Sequence, residues 1–132
     1  MNTLRLYILY AIAFFALASC NKTDDKSLLA AASAKEAYQH LIAGDYESFV
    51  QSTAGYDSLP ATYYEQVLTS MKQYAAALKG AHGGMSSVDI LNASAIDSLH
   101  TAQVFLLLHF SDSTTEQVSV QMVEKEGKWF LR

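Results

Sequence analysis

The side chains able to carry chemistry are few: one cysteine, Cys20, four histidines, His40, His82, His100 and His109, and 13 Asp and Glu residues. One cysteine makes neither an internal disulfide nor a cysteine-built zinc site, and the histidines show no HxxxH-type ligand spacing, so no metal site is expected. Acid–base catalysis needs a carboxylate or imidazole in an apolar pocket, where burial moves its pKa toward the working pH, beside a hydrogen-bond donor. Asp45 reads as a helix cap, Asp57 and Asp112 as turn residues, Asp97 as a loop residue, and Asp89 points away from Val88 and Ile90. His100 is the one catalytic candidate: on an extended strand it shares parity with Ala102, Val104, Leu106, Leu108 and Phe110. There it would line a pocket with Tyr38, Tyr64 or Tyr74. The competing reading, which its position favours, leaves it at the frayed start of the strand with its ring in water. His109 has the opposite parity and is expected on the exposed sheet face. Gly83-Gly84 lacks a following Lys-Ser/Thr and reads as a flexible connection, and the serines stand outside any nucleophile-elbow context.

The elements that must position these groups divide into a helical half and a strand half. From Leu28 to Ala43 the apolar residues Ala31, Ala34, Tyr38, Leu41 and Ile42 recur at helical spacing. Gly44 reads as the left-handed cap ending that helix, and Asp45 as the N-cap of a short second one through about Thr53, burying Tyr46, Phe49 and Val50. Ser58-Leu59-Pro60 predicts a third start with proline in the first turn. Tyr64, Val67, Leu68, Met71, Tyr74, Ala75 and Leu78 form its buried stripe, and Gly80 closes it. Beyond Gly84 the period falls to two: strands are expected over Met85 to Asn92, Leu99 to Phe110, Gln117 to Glu124 and Lys128 to Arg132. Short connections at 111–114 and 126–127 make the neighbours antiparallel hairpins. The expected fold class is α+β, with N-terminal helices packed on a curved antiparallel sheet of about four strands. Phe105 and Leu107 fall on the face away from the helices and become a partner or dimer surface unless something covers them. Of the eight tyrosines, Tyr38, Tyr64 and Tyr74 are also binding candidates, although buried stripes account for them; Tyr56 and Tyr63 have no core duty.

The chain has 132 residues, 51% of them hydrophobic, a formal charge of −4 and a single proline. That length suits one domain, and the acidic balance excludes nucleic acid as a natural partner. Arg5 is followed by an uncharged run from Leu6 to Ala16, which reads as a secretory signal peptide over residues 1–19. A run of that length is too short to cross a hydrocarbon core of about 30 Å. Leu17-Ala18-Ser19-Cys20 resembles the bacterial lipobox, which implies covalent acyl chains such as palmitate on Cys20 and a permanent membrane anchor. Residues 20–27, polar after the cysteine, then form a tether, and residues 28–132 the single domain. Asn21, standing where an inner-membrane retention aspartate would be, implies an outer-membrane lipoprotein of the cell envelope. Asp24-Asp25 beside Lys22 is similar to Bacteroidetes surface-export signals, an ordinary soluble linker being the alternative.

Gly44-Asp45-Tyr46, Gly83-Gly84-Met85 leading into Val88-Asp89-Ile90-Leu91, the strand Ala102 to Leu106 and the ending Gly127-Lys128-Trp129 together resemble small bacterial lipoproteins with a nuclear transport factor 2-like (cystatin-like) domain. The resemblance implies a cone-like fold and an envelope location, and it carries no catalytic residues to transfer. No cofactor is expected beyond the lipid on Cys20. The leading functional expectation is a non-enzymatic envelope module that binds a protein partner or a small apolar ligand. The alternative is a cone-type isomerase or dehydratase using His100 on a small hydrophobic substrate.

Overall fold

Alanine enters a helix without losing side-chain entropy, and the alanine-rich segment forms the first helix of the computed structural model, which describes residues 25–132. The expected signal peptide, Cys20 and tether residues 20–24 lie outside the described residues. Helix α1 (Asp25–Ala43) starts three residues before the expected Leu28, so Asp25, Lys26 and Ser27 are helical rather than part of a tether. Tertiary partners explain the early start. Ser27 is buried and its Oγ accepts a hydrogen bond from the Ala95 N–H at 3.0 Å, while Lys26 pairs with Asp97. Ala30, Ala31, Ala34, Ala37 and Leu41 form the buried face of α1. Their small size lets the helix lie close to the sheet.

Gly44, at φ 76°, ends α1 in the left-handed conformation that glycine adopts without a Cβ clash. Asp45 caps α2 (Tyr46–Gln51), accepting from the Ser48 N–H at 3.2 Å and the Ser48 hydroxyl at 2.6 Å. Those bonds hold the Asp45 carboxyl below the usual carboxylate range. Of the three residues expected to be buried here, only Val50 is; Tyr46 and Phe49 are half-buried. The chain then runs beside the last strand: Leu131 N–H bonds Ser52 C=O at 2.8 Å, and Ala54 N–H bonds Leu131 C=O at 2.6 Å.

Helix α3 (Ala61–His82) departs from expectation at both ends. Pro60 occupies the N-cap position rather than the first turn, Ser58 closing a preceding 3-10 turn. Gly80 lies inside the helix, which ends at Gly83 (φ 78°), where N–H bonds from Gly83 and Gly84 to Lys79 and Leu78 complete the cap. An interior glycine costs only about 1 kcal/mol relative to alanine, so it does not by itself stop a helix. The expected stripe is also only partly covered: Leu68 is buried, Tyr64, Val67, Met71, Ala75 and Leu78 are half-buried, and Tyr74 is exposed.

Four antiparallel strands follow in sequence order: β1 (Met85–Ile96), β2 (Thr101–Phe110), β3 (Thr115–Lys125) and β4 (Lys128–Leu131). β1 runs four residues past the expected Asn92, with register shifts between Met85 and Ser87 and between Ile90 and Asn92. Ile90, expected inward, is exposed beside the second shift. β2 starts two residues later than expected because Leu99 belongs to a 3-10 turn (Asp97–Leu99) and His100 takes φ 50°. From there the alternation is unbroken, even-numbered residues buried and odd-numbered ones half-buried. Val104, Leu106 and Leu108 have no exposed surface, and Met122 is 1% exposed. With Trp129 and Leu131 they fill the space between the sheet and α1. No described helix is long and apolar enough to cross a membrane.

Candidate binding surfaces

The inward face of the sheet, where a cone-type enzyme would hold its substrate, is occupied by the protein's own side chains. Tyr38 packs edge-on to Phe49, ring centroids 5.9 Å apart. Burial, then the proximity of Tyr74 and Glu116, pushes its hydroxyl above the ordinary phenol range. Burial and the Glu116 charge act on Tyr74 in the same direction. Glu116, whose charge acts on both tyrosines, pairs with Leu108 toward the far end of β2. Tyr64 is half-buried on α3.

His100 is not part of this group. It precedes Thr101 at the opposite end of β2, roughly 25 Å from Leu108 at the rise of an extended strand. Its side chain is 63% exposed, with Nδ1 3.4 Å from Glu124 Oε1. The left-handed backbone at His100 breaks the alternation that would have aimed it inward. The imidazole and tyrosine hydroxyls required for the enzymatic alternative are thus not brought together.

Register creates other pairs that spacing in the sequence concealed. His109 Nε2 lies 2.7 Å from Asp89 Oδ2 on the outward sheet face. The two residues belong to rungs of the β1–β2 ladder separated by the Val88–Leu108 pair, Asp89 opposite Leu107 and His109 opposite Ser87, so they share one face. His82, its ring tilted against Phe110 with centroids 4.9 Å apart, has Nδ1 2.9 Å from Asp112 Oδ2. The Thr114 hydroxyl and N–H, followed by His82, hold the Asp112 carboxyl down at about 2. An Asp-x-Thr turn was visible at 112–114, but its histidine, thirty residues away, needed the fold. Both pairs are open to water, where an ion pair contributes about 1 kcal/mol or less and no desolvated reaction site forms. Among the described residues no group of three or more His, Cys, Asp or Glu is placed to hold a metal.

The concave surfaces are open to solvent. One depression of about 420 Å³ is lined by Gly55, Tyr56, Asp57, Lys125, Glu126 and Lys128, so Tyr56 faces a polar hollow. Tyr63 is exposed on α3. The outward sheet face is different in kind. Phe105 and Leu107 are half-buried there, opposite Ser119 and Gln117 of β3. Val123 pairs with Phe130 farther along, and Gln103 Nε2 donates to Ser119 Oγ at 2.9 Å. Every helical side chain in the core cluster shares it with the even-numbered residues of β2, leaving Phe105 and Leu107 outside it. The result is an apolar strip with amide and hydroxyl margins.

Helices followed by a four-stranded antiparallel sheet packed on α1 define an α+β domain with a nuclear transport factor 2-like fold. A crystal structure from Campylobacter jejuni, described as a candidate nuclear transport factor 2-like transpeptidase, superposes with a TM-score of 0.60 at 19% identity. The match covers 74% of this chain and 92% of that one. No family model and no curated protein sequence matches the chain.

Proposed function

We propose that the chain is an acyl-anchored envelope lipoprotein whose domain is a non-enzymatic module that docks a protein partner on the outward sheet face. The observation that carries the binding half is the contrast along one strand: Leu106 and Leu108 are fully buried, while Phe105 and Leu107 remain half-open on the other side. A filled interior favours a protein partner over a small apolar ligand, because a ligand pocket of the usual size needs hundreds of Å³ of enclosed space. The anchoring half is supported by Leu17-Ala18-Ser19-Cys20 and the charged-then-apolar segment before it. Outer-membrane delivery is the reading supported by Asn21.

A photo-crosslinking residue at position 107, compared with one at exposed Tyr63, tests the docking face in intact envelopes. A discrete adduct from 107 that is absent from 63, and lost in Phe105→Asp with the circular dichroism unchanged, is the expected result. No adduct, or an adduct unaffected by Phe105→Asp, overturns the sheet-face reading. Metabolic labelling with palmitate tests the anchor separately, because incorporation should vanish in Cys20→Ala.

A further inference from the structure

The start of α1 is fastened to the β1–β2 connection. Ser27 Oγ accepts from the Ala95 N–H at 3.0 Å, Lys26 pairs with Asp97 and lies 3.8 Å from Glu124, and the Glu124 N–H bonds His100 C=O at 2.8 Å. Four large apolar residues surround this junction in sequence: Leu28 and Leu29 just after Ser27, Ile96 just after Ala95, and Leu99 in the 3-10 turn. Each is more than half exposed. None of the four belongs to the buried core cluster or to the residues packed against it, and the same junction holds the first described residue of the chain.

That position matters if Cys20 is acylated. Five peptide steps separate Cys20 from Asp25, and a fully extended chain spans at most about 3.6 Å per step, so Asp25 cannot stand more than about 18 Å from the anchored cysteine. The end of the domain carrying the four apolar residues would therefore be the end kept within about 18 Å of the anchored cysteine. We propose that this end docks on the lipid surface, with Leu28, Leu29, Ile96 and Leu99 entering the headgroup boundary; the inference rests on the lipoprotein reading above. Apolar side chains at such a surface sit ~5–10 Å into that boundary, which suits single leucines and isoleucines on a helix start and a tight turn. Lys26 is offset by Asp97 and Glu124, so insertion of apolar groups rather than attraction to anionic lipid supplies the binding. With this end down, the strands rise away from the membrane and the outward face with Phe105 and Leu107 stays accessible from the side.

Acylation consumes the sulfur of the chain's single cysteine, so an introduced cysteine can be labelled alone in the full-length lipoprotein. An environment-sensitive fluorophore is placed at Leu99→Cys or, toward the other end of the sheet, at exposed Gln117→Cys. Each is reconstituted in phosphatidylcholine vesicles containing nitroxide-labelled lipid. The expected result is quenching at 99 on the order of twofold beyond that at 117. In the Leu99→Cys chain, Leu28→Ser with Leu29→Ser should lower the quenching toward the level at 117, with thermal unfolding little changed because both leucines are exposed. Equal quenching at the two sites in protein that floats with the vesicles overturns the docking and leaves the acyl anchor standing. Protein that fails to float and whose Cys20 thiol reacts with maleimide overturns both.

Discussion

Replacing Leu106 with alanine removes about three methylene equivalents from the centre of β2, at a residue with no exposed surface and with Ile90 and Val118 as its neighbours across the sheet. At ~0.8 kcal/mol per buried methylene the lost transfer free energy is about 2.4 kcal/mol. A cavity that the surroundings do not close adds up to roughly 2 kcal/mol. The expected destabilisation is therefore about 2.5–4.5 kcal/mol. Leu107→Ala, one residue along on the half-buried outward face, should cost about 1 kcal/mol or less by the same accounting. Trp129 is the chain's one tryptophan and is buried in β4, so its fluorescence reports unfolding in a urea titration. With a urea slope of roughly 1–2 kcal/mol per molar, the Leu106→Ala midpoint should fall by about 2 M and that of Leu107→Ala by well under half as much. A cost below about 1 kcal/mol at 106, or equal costs at the two positions, would refute the filled interior. The case for a cavity that holds a small ligand would then return.

Two further outcomes follow from the loops. Asp112 has its folded pKa lowered from 3.8 to about 2, so its contribution to stability is complete above the unfolded value and is lost as pH falls through the folded one. Between about pH 4 and 2 the unfolding temperature of the parent should therefore fall more steeply than that of Asp112→Asn; parallel curves would show that the Thr114 and His82 bonds do not act in solution. Gly83→Ala places a Cβ 3.1 Å from Ser111 Cβ at a positive φ, whereas at Gly44, also at positive φ, nothing lies within 4 Å. Gly44→Ala should cost about 1 kcal/mol and Gly83→Ala clearly more; equal urea midpoints would remove the steric argument.

Period and punctuation made the order of elements legible: the 3.6-residue stripe of α1, the Gly44-Asp45 break, and the strict alternation of β2 all form as their residues dictate. What was not legible depended on partners distant in sequence. Residues 25–27 look like linker by composition, and join α1 because Ala95 and Asp97 meet them. The third helix was expected to end at Gly80 and ends instead at Gly83, where the chain meets Ser111 of the next hairpin. His100 had two readings, inward by strand parity or in water at the strand's start, and parity fails because the residue takes a left-handed turn that leaves its side chain 63% exposed. The Asp89–His109 and His82–Asp112 pairs exist only once the strand register is set. Phe105 and Leu107, by contrast, could be placed from alternation alone, because β2 has no bulge to shift them.

β1 stands at the edge of the sheet, paired with β2 on one side only among the described residues. A long edge strand is an open template on which a neighbouring chain can add its own strand. The two register shifts divide the edge into short runs, and the exposed Asp89 places a charge between them. A bulge twists the backbone so that a straight incoming strand cannot keep its hydrogen bonds across it. The irregularity in β1 thus works against growth, chain by chain, into a shared sheet.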